Sequence, residues 1–366
     1  MGFYTEKVVL VTGGVGTVGR EIIKQLIYIE KPKELRVLDN NESEIFSIEE
    51  KYNSIAKREN IITNFHVYVG DVRDERKLTD LMRGVDIVLH LAALKHVTVC
   101  EKSPIDAVQT NIQGVQNVIN AAISNNVDRV IFTSSDKAVN PTNVMGTSKL
   151  MGERLITAAN IMKQKGDTIF SSTRFGNVIG SRGSVVPLFY EQIMKGGPVT
   201  ITDERMSRFV MTIPESARFV LDSAKLARGG EVIVMKMPTL MIKELAEVMT
   251  ELLARRIERE PENIDFTIIG VKPGEKMYEE LMTEEEMSRA IELEDMFAIL
   301  PAFRNIYGEI SYDYDGITNT SIGEPYISSK TSAMKKEEIR SFLLENKIFE
   351  YLNGEIFPHD SALGMM

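Results

Sequence analysis

Val9 to Leu26 reads VLVTGGVGTVGREIIKQL, and the rest of the architecture follows from it. A short β-branched run leads into Gly13, Gly16 and Gly19, and a helical pattern starts at Thr17 and Val18. Glycines at this spacing serve a tight turn, a close approach of backbone to a pyrophosphate, and close packing of helix on strand. The first N–H groups of the helix have no partners within it and face the anion. The next apolar run, ELRVLD, ends in Asp39, twenty residues after Gly19, where a carboxylate hydrogen-bonds the ribose hydroxyls of an adenosine. Asp39 repels a 2′-phosphate, and the residues after it, NNES, supply no arginine to receive one. The loop therefore predicts a bound dinucleotide, NAD rather than NADP.

Outward from this loop, the first 180 residues keep alternating. The apolar runs KVVLVTG, ELRVLD, NFHVYVGD, VDIVLHLAA, VDRVIFTSS and DTIFSSTRFGNV are separated by segments such as 17–29 and 104–125, whose apolar residues recur at helical spacing. Continuous Val, Ile and Leu runs are buried on both faces, which predicts a parallel sheet between two layers of helices. A doubly wound α/β domain over 1–180 is expected, with EVIVMKMP returning to it as a later strand near 231–237. Residues 181–366 are expected to form mainly a smaller α/β substrate-binding lobe and a polar C-terminal tail. In that half GGPVTITD reads as a hairpin or edge strand, 241–257 as an amphipathic helix, and 335–344 as a short helix.

The bulk properties exclude several function classes. A net charge of -10 and a pI near 5.2 argue against a broad nucleic-acid or anionic-membrane surface, so an anionic ligand needs its own local cations. Cys100 is the single cysteine, which rules out an internal disulfide and makes a metal centre unexpected. No apolar run approaches the roughly 18 residues that span a bilayer. The opening residues run straight into a strand-like segment, leaving no room for a signal peptide. A cytoplasmic protein without membrane contact is expected.

The spacing Gly-x-x-x-Gly-x-x-Gly resembles that of the extended short-chain dehydrogenase/reductases that act on nucleotide sugars, and with it their Rossmann-like fold. GDVRD is similar to the loop whose Asp71 and Val72 flank the adenine, and HLAALKHV to the strand end whose Ala92 and Ala93 lie beside the cofactor. Asn111 matches a helix residue that helps hold the active site. The segment SSDKAVNPTNVMGTSK narrows the resemblance to UDP-N-acetylglucosamine 4,6-dehydratases of polysaccharide biosynthesis, which carry Thr-Asp-Lys at this strand end; here Ser135 replaces the threonine and keeps the hydroxyl. RFGNVIGSRGSVVPLF, GGPVTITDERMSRFVMTIPES and KPGEKMYEEL resemble the same family, so the likeness runs from Val8 to about Leu281.

What the resemblance implies is a specific chemistry. A 4,6-dehydration moves hydride from C4 of the sugar to NAD⁺, eliminates water across C5 and C6, and returns the hydride to C6. It needs an acid at the C6 hydroxyl and a base at C5. By the family's pattern these are Asp136 and Lys137, the lysine kept partly neutral by burial or neighbouring cations. Lys149, on the following helix, is the residue that binds the nicotinamide ribose. Met145 stands one helical turn earlier, where relatives usually carry tyrosine. A thioether takes no proton, so the Asp136 carboxylate is the candidate to receive the C4 hydroxyl proton. A branch of the family shares this methionine, and its resemblance to retaining enzymes favours retention at C5.

On the sugar-nucleotide side, Arg182, Arg208 and Lys272 stand in family-like positions for the UDP phosphates, Asn177 matches a residue that bonds the diphosphate or sugar, and Lys95 and Thr202 are further candidates. Tyr326 and Lys330 share the Tyr-x-x-x-Lys spacing but lie in a polar tail, far past the catalytic strand. The expected activity is a UDP-N-acetylglucosamine 4,6-dehydratase, assembled as a homo-oligomer as its superfamily implies. Two alternatives stay open: a nucleotide-sugar 4-epimerase or ketoreductase on the same fold, and a catalytically dead dinucleotide-binding sensor.

Overall fold

The computed structural model describes residues 2–162, 168–303, 310–320 and 322–353. Val9, Leu10 and Val11 are fully buried in β1 (Val8–Thr12), as a run without alternation requires. The chain continues through α1 (Thr17–Gln25), β2 (Glu34–Asp39), α2 (Glu42–Glu59), β3 (Asn64–Val69), α3 (Glu75–Leu81) and β4 (Ile87–His90). Then come α4 (Val97–Lys102), α5 (Pro104–Val108), α6 (Gly114–Ser124), β5 (Arg129–Ser135), α7 (Val144–Met162) and β6 (Ile169–Phe175). These strands lie in the order β3-β2-β1-β4-β5-β6. β1 is parallel to both β2 and β4, so the winding reverses between β1 and β4. The crevice beyond the strand ends at such a reversal is where open α/β sheets hold ligands.

The later elements are β7 (Asn177–Val178), α8 (Val185–Met194), β8 (Val199–Ile201), β9 (Ser207–Met211), α9 (Ile213–Leu226), β10 (Val232–Met235), β11 (Thr239–Met241), α10 (Ile242–Leu253) and β12 (Phe266–Ile268). They are followed by α11 (Glu284–Met287), β13 (Ala290–Leu293), β14 (Met296–Ile299), β15 (Ile317–Asn319), α12 (Lys336–Glu345) and α13 (Ile348–Asn353). β10 lies parallel beside β6, pairing Val232 with Ser172. Antiparallel β14, β13 and β15 then extend the sheet to ten strands. The sequence gives little sign of these three strands, because none is longer than four residues.

Two compact units result. The first comprises Met1–Arg174, Ala217–Lys236 and Thr283–Glu324; the second comprises Phe175–Ser216, Met237–Met282 and Pro325–Met366. This differs from a single division at residue 180: segments 217–236 and 283–324 of the second half belong with the sheet. β10 of the first segment takes the open edge of β6, and β14 of the second takes the open edge of β10. Residues 354–366 of the expected tail lie outside the described residues.

The first unit has an apolar core that includes Leu10, Val88, Val118, Val130, Phe132 and Phe170. Among the charged groups buried in this unit is Arg174, at the end of β6. The guanidinium donates to Glu153 of α7 at 2.6 and 3.1 Å and to Glu286 of α11 at 2.9 and 3.1 Å. In the second unit, GGPVTITD supplies β8 as an edge strand rather than a hairpin, parallel to β12. There α8, α10 and α12 gather around Val186, Phe189, Leu245, Met249, Ile339 and Leu343.

Candidate active site

The glycine loop turns at Gly13, whose φ of +70° lies in the left-handed region. A Cβ at Gly13 would stand 2.6 Å from the Ala92 nitrogen, so only glycine lets this turn meet the end of β4. Asp39 closes the loop from the side: its carboxylate accepts from the Val15 N–H at 3.2 Å and the Asn41 N–H at 3.1 Å. Ala92 and Ala93 follow β4 half-buried, and Val72 is buried, its carbonyl accepting from Asn117 at 3.0 Å. Gly16 is exposed at the start of α1, with Thr17 and Val18 half-buried and Gly19 buried behind it. A loop of small residues, a helix start and a carboxylate at the neighbouring strand end fit a dinucleotide.

Asp71 accepts from the Arg73 backbone and from its guanidinium at 2.7 and 3.0 Å, which holds its carboxyl below the usual range. The Asn40 amide stands 3.5 Å from the same carboxylate. An arginine from another loop is thus brought beside NNES, although Asp71 takes its charge.

β5 delivers the catalytic segment. Ser135 ends the strand, and its hydroxyl accepts from the Lys137 N–H at 3.1 Å, capping a single 3₁₀ turn over Asp136–Ala138. Asp136 is fully buried. One of its carboxylate oxygens accepts from the Lys137 ammonium at 3.0 Å, while the other is buried without a hydrogen-bond partner among the described residues. Such an atom normally costs stability, and its retention marks a place for another group. The Lys137 side chain is 29% exposed and lies against this carboxylate.

Helix α7 presses directly on this turn. A Cβ at Gly146 would lie 2.2 Å from the Lys137 carbonyl oxygen, so glycine permits the approach. Lys149, one turn further on, is buried; its ammonium donates to the Thr133 carbonyl at 2.8 Å and sits 4.7 Å over the Phe132 ring. Burial pushes its pKa down to about 8. Met145 is buried in an apolar cluster with Cys100 and Ala107, against Leu94, Val97 and Val144. The buried Asn111 amide accepts from the Leu94 N–H and donates to the Leu94 carbonyl and the Ser148 hydroxyl, tying α7 to the loop after β4. Lys95 in that loop is exposed.

The remaining candidates lie in the second unit. Asn177 is half-buried in β7, and Arg182 and Lys272 are exposed. The Thr202 hydroxyl donates to the Met206 sulfur at 3.1 Å. Arg208 is buried and spends its donors on the carbonyls of Ser207, Lys276 and Met277 at 2.8, 2.9 and 3.3 Å. Glu275 and Glu279 stand 3.7 Å from it. It therefore fixes the loop that follows Lys272. Tyr326 is a structural clamp: its hydroxyl accepts from the Met237 N–H at 2.6 Å and donates to the Met237 carbonyl at 3.0 Å.

Residues 9–301 match the model of a family described as polysaccharide biosynthesis protein. The chain belongs to that family. A polysaccharide biosynthesis protein of this kind is also a member of the extended short-chain dehydrogenase/reductases, as the sequence motifs imply. An "uncharacterized membrane protein" of Methanocaldococcus jannaschii is 47% identical, covering 94% of this chain and 97% of that one. A UDP-glucose 4-epimerase of Rickettsia massiliae is 36% identical over 96% of this chain and 99% of its own. An inverting UDP-N-acetylglucosamine 4,6-dehydratase of Campylobacter jejuni is also 36% identical, over 86% and 89%. The X-ray structure of Pen from Bacillus thuringiensis has a TM-score of 0.85 at 41% identity, over 94% and 99%. This polysaccharide biosynthesis protein is an enzyme of the nucleotide-sugar dehydratase and epimerase group. No helix among its described residues is long and apolar enough to cross a membrane.

Two features of this family member escaped its motifs. His90, in the apolar run VDIVLHLAA, is fully buried with Nδ1 2.6 Å from the Thr12 hydroxyl, so it joins β4 to the strand before the glycine loop. Burial, and then the nearby Lys149 cation, pushes its pKa down to about 3, which keeps it neutral. A lone histidine in an apolar strand was the only available signal. The second feature is Gly146, whose task depends on how closely α7 approaches β5.

Proposed function

We propose that this enzyme carries out NAD-dependent 4,6-dehydration of UDP-N-acetylglucosamine, giving a UDP-4-keto-6-deoxy-N-acetylhexosamine for glycan or polysaccharide precursor synthesis. The observation that carries the reading is Asp136: fully buried, bonded through one oxygen to Lys137, and without a partner among the described residues at the other. The dinucleotide, held by Gly13, Gly16, Thr17, Val18, Gly19, Asp39, Asp71, Val72, Ala92, Ala93 and Lys149, supplies hydride acceptance from C4 and hydride return to C6. The Asp136 carboxylate takes the C4 hydroxyl proton and gives it to the departing C6 hydroxyl, which leaves as water. The Lys137 amine removes the C5 proton and returns it from the same face, so configuration at C5 is retained. Both residues end each turnover as they began, and the sugar loses one water. The starting state is an amine beside a carboxylate, so the ammonium form of Lys137 gives its proton to solvent, to which its side chain is 29% exposed, before the first step.

Asn177, Arg182 and Lys272, with Lys95 and Thr202, are assigned to the UDP-sugar, and Arg208 to the footing of the Lys272 loop. A 4-epimerase is the second reading, favoured by the Rickettsia relative's name; the burial of the Met145 thioether among apolar side chains speaks against it, since C4 then has no tyrosine acid of its own. Incubation with UDP-N-acetylglucosamine and NAD⁺, followed by mass spectrometry and NMR, tests the proposal. Loss of one water with C5 unchanged is the expected product. A UDP-hexosamine of unchanged mass would mean epimerisation, and NAD binding without conversion would mean a dead sensor.

A further inference from the structure

The small sheet of the second unit has two strands, and its two outer edges are treated differently. On the β8 side, the Gln192 side chain covers the edge: it accepts from the Thr200 N–H at 3.0 Å and donates to the Thr200 hydroxyl at 2.7 Å. On the β12 side, nothing among the described residues pairs with the strand. The bonds to β8 fix which groups are left over. The Asp265 carbonyl accepts from Val199 at 2.8 Å, and the Ile269 N–H donates to Ile201 at 2.9 Å. A strand residue points its N–H and C=O to the same side, alternating along the chain, so Asp265, Thr267 and Ile269 face β8. Phe266 and Ile268 then present both their backbone groups to the open edge.

Apart from its shortness, three residues, this edge has none of the usual protections. Phe266–Val271 reads FTIIGV, without a charge or a proline, and Phe266, Ile268, Ile269 and Val271 are 40–53% exposed. Natural edges of this kind are blunted or covered.

We infer that β12 pairs with β12 of a second copy of this chain, antiparallel about a twofold axis at Thr267. The register is self-complementary. Phe266 of one copy faces Ile268 of the other, and each such pair exchanges two N–H···O bonds, giving four across the axis. Thr267 meets Thr267 in the close, non-hydrogen-bonded position, where threonine pairs are favourable. Asp265 meets Ile269, so no like charges confront each other. The two-stranded sheet, weak by itself, becomes four-stranded.

The full-length enzyme carrying Thr267→Cys tests this under mild oxidation. The close position sets Cα atoms about 4.5 Å apart, within disulfide range, and the single native cysteine, Cys100, is buried. A covalent dimer taking up most of the protein is expected, with the wild type giving none. Adding Ile268→Lys should cut that yield at least tenfold, while Ile268→Lys alone should halve the assembly mass in sedimentation without changing the circular dichroism. No cross-link at Thr267→Cys overturns the proposal. So does equal cross-linking at Ile62→Cys, an exposed position elsewhere, because that would report random collision. An unchanged mass for Ile268→Lys counts against it as well.

Discussion

Lys149 occupies a costly position for a cation. Its pKa, pushed down by burial from 10.5 to about 8, means the folded state binds that proton less readily than the unfolded chain. The penalty is complete below pH 8, is relieved between pH 8 and 10.5, and amounts to about 3 kcal/mol, offset by about 1 for the bond to Thr133. Lys149→Met should therefore raise stability at pH 7 by about 2 kcal/mol, the gain shrinking by pH 9.5, while turnover collapses. Thermal melts at the two pH values check the first half, and a variant no more stable than wild type at pH 7 would contradict it. Asp136→Asn should lower turnover about 10³-fold or more while NAD titration is unchanged. Retained activity would remove Asp136 from the acid role. At this scale the sequence was most readable where residue type alone carries the chemistry, as at Asp39, Asp136 and Lys149. It was least readable where the neighbour lies far along the chain: the cluster that buries Met145 draws on Cys100 and Ala107, and His90 finds Thr12 across 78 residues.

Among the elements, β6 depends on the charge at its end. Burial pushes the Glu286 carboxyl up, yet Arg174 and its bonds outweigh this and hold it at about 2. Because that pKa lies below the ordinary 4.5, the stability it brings is present above pH 4.5 and is lost as pH falls towards 2, about 3 kcal/mol in all. Arg174→Met takes from two buried carboxylates the cation bonded to both, leaving Glu286 with Arg289 at 4.0 Å, and should destabilise the enzyme by about 3–5 kcal/mol at pH 7, seen in urea unfolding. The deficit should narrow as pH falls, first above pH 4.5 as the variant's carboxyls, raised by burial, take up protons, and then below it as the wild type loses its gain; a deficit independent of pH would mean that packing, not charge, is at stake. β1 and β4 were legible because burial on both faces leaves an unbroken apolar run, whereas β3 keeps β-branched and aromatic residues while exposed or half-buried throughout. β13 and β14 were not, since ELEDMFAIL makes a hairpin of four-residue strands joined only by Glu294 and Asp295. Helix 241–257 was found but ends earlier, α10 giving way to a 3₁₀ turn at Ala254–Ile257.

For the molecule as a whole, the interleaving of the two units sets what can be removed. The first 180 residues look self-sufficient by motif, but Tyr4 donates to the Leu221 carbonyl at 2.7 Å and Arg129 to Ala224 and Ala227 at 2.9 and 2.8 Å. A fragment 1–180 lacks α9 and β10 and should aggregate or bind a hydrophobic dye, with no cooperative melt; a sharp transition with NAD binding would refute this. The same interleaving has a consequence during synthesis. On the ribosome, Ser172 emerges sixty residues before its strand partner Val232, and Arg174 waits 112 residues for Glu286. Over that interval Glu153, already made, is available to Arg174 as a bonded partner, and the open edge of β6 lacks β10, the kind of exposed edge that chaperones recognise. Yield in a foreign host should accordingly respond most to translation rate and chaperone supply between codons 175 and 286.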